Sequence, residues 1–262
     1  MPYNSIQMFF RYLDYLKNSK TRYRVHSPFV YSLVEQVLRK QPPFYAFKKI
    51  EKWRDELIED VSEVNLIDLG AGSRRTKSRS VSDIANTTLS TKHQSEWLFG
   101  LVNYFEAKTI VELGTSLGVS TAYLAAASNN SLVHTFEGSP ELIAIAEKGW
   151  QKLKLNNIHS IEGPIDETLP KFITSLKKPI DLLYMDANHT YEATMDYYRI
   201  LQPNFNPSTV VVVDDIHWSF EMQKAWREIS NFNEVSISID LFYKGLLFFR
   251  KDIEKEHFML RV

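Results

Sequence analysis

The chain predicts an α/β fold: a mostly parallel sheet of seven strands with helices on both faces, an antiparallel strand near the end, and a helical extension in front. Three observations carry this. From about 109 to 230, short apolar runs alternate with segments of helical periodicity, the strand–helix alternation that builds parallel sheets. Positions 209–214 are nearly pure valine, as a strand covered on both faces requires. Finally, the runs 234–241 and 245–250 are joined by a short segment carrying Lys244-Gly245, a hairpin signal that reverses the last strand.

The N-terminal segments come first. Residues 4–20 place Ile6, Phe9, Phe10, Leu13 and Leu16 at helical spacing behind a cap at Asn4 or Ser5. Ser27 then Pro28 is a helix start, and Val30, Leu33, Val34, Val37 and Leu38 form one apolar face. A third amphipathic segment, about 45–60, groups Phe47, Ile50, Trp53 and Leu57. Such helices are unstable alone, so they are expected to pack on the rest of the chain or to pair across a homodimer. In 64–73, Asp68-Leu69-Gly70-Ala71-Gly72 imitates a nucleotide turn. Such a turn should open into a packed helix, but the residues after Gly72 are polar and basic. The basic run Arg74, Arg75, Lys77 and Arg79 reads as a solvated loop, with a lid over an anionic substrate as the functional alternative. A helix at 90–105, capped by Ser90 or Thr91, turns Trp97, Leu98, Leu101, Val102 and Phe105 inward. Strands 109–113, 132–137, 158–162, 180–186 and 209–214 then alternate with helices 118–128, 140–154, 166–176, 190–201 and 219–230. This divides the chain into an N-terminal helical cap and loop, 1–89, and a main domain, 90–262.

Composition narrows the chemistry. Lys and Arg number 31 against 32 Asp and Glu, a net charge of -1, which gives no reason to expect nucleic acid or a membrane surface as partner. The absence of cysteine excludes disulfides, thiolate catalysis and cysteine–metal sites. No run of about 18 apolar residues offers a membrane span, and the first residues carry charges inside their apolar pattern, so a cytoplasmic protein is expected.

The organising stretch is 111–125, VELGTSLGVSTAYLA. An apolar strand leads into Glu112, then Gly114, Thr115, Ser116 and Gly118, then a helix. Glycines allow the backbone angles of a tight turn and the close approach of a ligand. The helix that opens there aims free N–H groups at a polar group in the turn. The spacing is G-x-x-x-G, not the G-x-G-x-x-G of a dinucleotide fingerprint. About 20 residues on, Glu137 ends the second strand, where a carboxylate accepts both hydroxyl protons of a ribose.

The pattern Glu-x-Gly-x-x-x-Gly, with Glu137 and the strand order around it, resembles motif I of the class I S-adenosylmethionine (SAM)-dependent methyltransferases over about 90–250, and with it their Rossmann-like fold. The resemblance implies SAM as cofactor, with Ser120 at the methionine carboxylate and Glu112 at its amino end. Gly138 and Ser139 would border the sugar and adenine, and Gly163, Pro164 and Ile165 the adenine edge. Leu89 to Lys92 would fold over the cofactor. Asp186 ends strand four and Asp214-Asp215 ends strand five, which resembles the catechol and caffeoyl-CoA O-methyltransferases. There, such acids hold Mg²⁺, which binds a substrate hydroxyl; oxygen ligands from different strand ends suit a hard cation. Here Asp215 stands where those families have Asn. The implied set is Asp186, Asp214 and Asp215 as metal ligands, with Asp186 also catalytic and facing the cofactor. His189 falls where those families place a catalytic Lys, and a neutral imidazole is a competent base. His217 is the rival. Tyr191, Trp218 and Phe220 would wall a flat substrate or pack ordinarily.

The implied activity is transfer of the SAM methyl group to a hydroxyl of a small-molecule acceptor. N-methylation stays open at this point, as do a SAM- or nucleotide-binding module without catalysis and an NAD(P)-dependent oxidoreductase, against which the glycine spacing speaks.

Overall fold

The computed structural model describes residues 2–39, 44–68 and 75–262, leaving out the side chains of 67, 68 and 75–77. The Gly70–Gly72 turn, Arg74, and the side chains of Asp68, Arg75 and Lys77 therefore lie outside the described residues. In chain order the elements are α1 (Ser5–Asn18), α2 (Pro28–Leu33), α3 (Tyr45–Glu59), β1 (Glu63–Asp68), β2 (Arg75–Ser80), α4 (Val81–Thr88), α5 (Lys92–Tyr104), β3 (Thr109–Leu113), α6 (Val119–Ala127), β4 (Leu132–Glu137), α7 (Pro140–Leu153), β5 (Ile158–Glu162), α8 (Ile165–Ser175), β6 (Ile180–Met185), α9 (Tyr191–Leu201), β7 (Phe205–Asp214), α10 (Phe220–Ser230), β8 (Ile237–Asp240), β9 (Lys244–Phe248) and β10 (Glu256–Met259).

Local signals set most boundaries. Asn4 accepts from the Gln7 backbone while the Gln7 side chain accepts from that of Asn4, a reciprocal cap that starts α1. Thr91 and Gln94 repeat the arrangement at α5. Pro28 follows the Ser27 cap of α2, and Ser219 caps α10.

The chain divides into two compact units, 40–174 and 1–39 with 175–262. The first holds β3, β4 and β5 as adjacent parallel strands, with Thr109 opposite Leu132 and Val133 opposite Ile158. Its core gathers Phe47, Ile50, Trp53 and Leu57 of α3 with Val119, Ala122 and Tyr123 of α6 and Trp150 of α7. Gly149 matters here, because a Cβ would sit 2.0 Å from the Trp53 ring.

The second unit orders its strands β10-β8-β9-β7-β6. β6 and β7 are parallel, β9 runs antiparallel to both β7 and β8, and β10 is parallel to β8. α1 belongs here: Arg11 Nη1 donates to Gln223 at 2.7 Å, and Tyr15 packs on Phe242 with ring centres 5.2 Å apart.

α1 and α2 fall in one unit with 175–262, and α3 in the other with 90–174. Three expectations need correction. The basic segment expected as a loop is β2, paired antiparallel with β1, Glu63 opposite Ser80. Beyond the seven expected strands and this hairpin lies β10, whose only buried side chain is Phe258. Lys244 and Gly245 open β9 instead of forming the turn, which falls on Leu241–Tyr243 with Phe242 at φ 71°.

Candidate functional site

The first site set forms within unit 40–174, at the carboxyl ends of its three parallel strands. After β3 the chain turns sharply: Gly114 has φ 96°, Ser116 φ 49° and Gly118 φ 77°. The turn is held by the backbone, with Gly114 and Thr115 N–H donating to Phe136 O and Gly118 N–H to Thr115 O at 2.8 Å. Gly118 has a second constraint. Its carbonyl accepts from Trp150 Nε1 at 2.9 Å, and an added Cβ would sit 2.7 Å from Ala146 Cβ and 2.8 Å from the Trp150 ring. Gly118→Ala therefore adds a left-handed penalty of about 1–2 kcal/mol to an overlap within the core. We expect a thermal shift of several degrees downward and loss of ligand binding, measured by calorimetry.

Glu137 joins this turn to the next. Its Oε2 accepts from Ser116 N–H at 2.8 Å, its Oε1 from Ser139 N–H at 3.0 Å, and its backbone O from Gly163 N–H at 2.9 Å. Each carboxylate oxygen keeps a lone pair for a ligand hydroxyl. Burial pushes the Glu137 carboxyl up, against the backbone N–H groups of Ser116, Ser139 and Gly138. Beside it, the Ser139 hydroxyl is buried without a hydrogen-bond partner. An unsatisfied buried hydroxyl next to an acid fits a site built for a polar ligand. Gly163, at φ 125°, opens the turn after β5, and Pro164 O accepts from Glu167 and Thr168 N–H at the start of α8. Thr88, at the end of α4, reaches Ser116 Oγ at 3.3 Å.

Glu112 stands opposite Thr135 in the β3–β4 register and is fully buried. Its carboxylate accepts from Ser120 at 2.7 Å, Thr135 at 2.7 Å and Thr121. Ser120 is thus engaged from below, and Glu112 braces the turn. Burial pushes the Glu112 carboxyl up to about 7, despite the three hydroxyl donors. The folded chain then holds a proton that the unfolded chain releases, so stability falls as pH rises from 4.5 to about 7. The whole shift corresponds to about 3 kcal/mol. Urea unfolding should be weaker at pH 8 than at pH 5, and Glu112→Gln should flatten that difference.

The second set forms within the other unit, and its register explains it. Tyr184 lies opposite Val212 in β6–β7, and Asp214 lies opposite Lys244 in β7–β9. Side chains two apart share a face, so Tyr184, Asp186, Asp214 and Lys244 fall together. Lys244 ion-pairs with Asp214 Oδ2 and donates to Tyr184 Oη at 2.9 Å. Tyr184 Oη contacts Asp214 Oδ2 and Asp186 Oδ2, the latter at 2.8 Å, and Asp214 Oδ1 accepts from Asp215 N–H. One phenol proton cannot serve two carboxylates at once, so Asp186 and Asp214 compete for it. In keeping with this, burial and then the Asp214 charge push the Asp186 carboxyl up. Burial also pushes Asp214 up, but the Lys244 charge and hydrogen bond outweigh it and hold Asp214 low. Burial, then Asp214, raises Asp215.

His189 Nε2 lies 3.5 Å from Asp186 Oδ1, both side chains 24% exposed. Asn188 at φ 62°, His189 at φ 36° and Asp215 at φ 54° hold backbone angles that cost of order 1–3 kcal/mol each and gather at functional sites. The rival His217 is committed to structure. Its Nε2 pairs with Asp240 at 2.7 Å, its Nδ1 meets Gln223 at 2.9 Å, and its ring stacks on Phe242. Trp218 lies 5.6 Å from the His189 ring, whereas the Tyr191 hydroxyl is drawn to Glu228 and Phe220 is exposed.

Among the described residues no three His, Asp or Glu converge as metal ligands, and both oxygens of Asp214 are already engaged. Sequence reasoning missed Tyr184 and Lys244. Tyr184 carried a signal, standing two residues before Asp186 on one strand, and Lys244 is a lone cation opening an apolar run.

Residues 111–216 match a family described as a methyltransferase domain. A catechol O-methyltransferase from Niastella koreensis is 29% identical over 126 residues, 47% of this chain and 56% of that protein. An O-methyltransferase from Aspergillus hancockii is 31% identical over 145 residues, 52% of this chain and 55% of that one. The chain thus spans about half the length of the curated relatives it matches. The SAH-bound crystal structure of a Podospora anserina methyltransferase superposes with a TM-score of 0.59 at 15% identity, covering 96% of this chain and 98% of that one. The fold is like that of this solved structure, and residues 111–216 are similar to a methyltransferase domain.

Proposed function

We propose that this chain, whose residues 111–216 are similar to a methyltransferase domain, transfers the methyl group of SAM to a hydroxyl of a small molecule. The observation that supports it best is Glu137: a carboxylate fixed between the glycine turn and Ser139, with lone pairs to spare and a partnerless hydroxyl beside it. SAM, when bound, supplies a methyl group already activated by its sulfonium charge. The chain's task is then to hold the acceptor in line and remove its proton. Glu137 would accept the ribose hydroxyls, Gly114–Gly118 would receive the methionine end, and Ser139 and Gly163–Ile165 would border the base. His189 would take the acceptor's proton, with Asp186 orienting both. Lys244 and Tyr184 already fill Asp214 Oδ2, which speaks against a magnesium-assisted form of the transfer.

Two finer points belong to the same reading. Ile6, Phe9, Phe10 and Leu13 of α1 are exposed, which supports pairing with a second copy. No helix among the described residues is long and apolar enough to cross a membrane, which is compatible with a cytoplasmic site of action.

The test is transfer of labelled methyl from SAM to a panel of phenols and alcohols. Wild type is expected to methylate members of the panel, and Asp186→Ala to lose turnover by about 10²-fold or more while still binding S-adenosylhomocysteine (SAH). Equal turnover in Asp186→Ala would contradict the role given to that acid.

A further inference from the structure

Asp186 and Asp214 share the Tyr184 hydroxyl and Asp215 follows directly, and acids gathered in this way, with Asp214 buried, demand positive charge. The structure already contains one. Lys244 is 1% exposed and Asp214 8%, and they face each other directly across β7 and β9. The ammonium reaches both Asp214 and the Tyr184 hydroxyl. Through Tyr184 it is linked to Asp186, the acid beside His189.

We propose that Lys244 is the built-in cation of this acid cluster, a positioning residue that fills the charge role of a divalent metal, so that the centre works without one. This rests on the methyltransferase reading and deepens it. A Mg²⁺ ion needs several open oxygens in an octahedral shell. Asp214 offers little: Oδ2 is filled by Tyr184 and Lys244, and Oδ1, which accepts from Asp215 N–H, keeps a single lone pair. Asp186 is tied by one oxygen to Tyr184. A dication would also have to sit beside an ammonium that is sealed from water. A ligand reaches Asp186 and His189, each 24% exposed, but not the lysine behind them. Lys244 therefore sets the charge and the position of Asp186 without touching the acceptor.

The experiment is titration of the full chain with Mn²⁺, read by electron paramagnetic resonance, with SAH titrated calorimetrically into the same samples. Wild type is expected to leave Mn²⁺ free. Lys244→Ala removes the ammonium and frees Asp214, so it should gain one Mn²⁺ site, weakened about tenfold or more by adding Asp186→Asn. Should Lys244→Ala not fold, wild type and Lys244→Arg decide, both being expected to exclude Mn²⁺. One Mn²⁺ bound by wild type, displaced by Mg²⁺ and lost in Asp186→Asn, overturns the proposal. So does a folded Lys244→Ala that still excludes Mn²⁺. SAH separates the two levels: Mn²⁺ binding with intact SAH binding removes only the role of Lys244, whereas no SAH binding removes the methyltransferase reading itself.

Discussion

Lys244→Met is expected to cost the fold about 3–5 kcal/mol, the range for removing one partner of a buried ion pair. The substitution keeps much of the side-chain volume, so little of the loss comes from a cavity. It comes from Asp214, which is left charged and buried with Asp186 and Asp215 nearby. Two of these acids already sit above their ordinary carboxyl range with the ammonium present. Without it, Asp214 must join them by taking a proton or must open to water. Folding stability is typically 5–15 kcal/mol, so this is a large share of the whole. Urea unfolding at neutral pH measures it. Lys244→Met combined with Asp214→Asn should regain part of the loss, because the neutral pair leaves no uncompensated charge. A loss below about 1 kcal/mol in the single variant would place the pair among those that contribute little.

The strand–turn–helix at 109–127 was legible because each part has its own local signal: an apolar strand, glycines at turn spacing and a good helix former. Positive φ at Gly114 and Gly118 is what those glycines were for. Glu137 was legible by its distance from that turn, although the backbone donors that hold it were not. Lys244 was not legible, for a physical reason. Its role depends on which residue it opposes in β7, and register is a tertiary property: a slip of one residue would turn it to the other face. The acids at the strand ends suit a cation, but a covalently attached cation and a bound one meet the same demand. β2 was hidden because Arg75–Ser80 is polar throughout and shows no alternation of apolar residues. The two-unit division was hidden because α1 joins the C-terminal part of the chain through contacts such as Arg11 with Gln223 of α10, far apart in sequence.

Glu137→Ala should abolish cofactor binding while leaving the fold standing. Each hydrogen bond to a charged group contributes about 1.5–3 kcal/mol. A carboxylate accepting two ribose hydroxyls therefore carries about 3–6 kcal/mol, a loss of roughly 10²–10⁴-fold in affinity. The variant also frees Ser116 and Ser139 N–H, which the carboxylate now satisfies. Ser116 is partly exposed and water can replace the lost acceptor, whereas Ser139 is buried, so the stability cost is about 1–3 kcal/mol, within what a cooperative fold can bear. Ser139→Ala serves as the milder companion. Its hydroxyl has no partner in the protein, so its removal should weaken binding without lowering the melting temperature.

The most direct measurement of the central claim is calorimetric titration of the full chain with SAH, on wild type and on Glu137→Ala. The account predicts saturable one-to-one binding to wild type, and binding weakened at least about a hundredfold in a variant that still melts cooperatively. No binding to wild type, or equal binding to both, would contradict it.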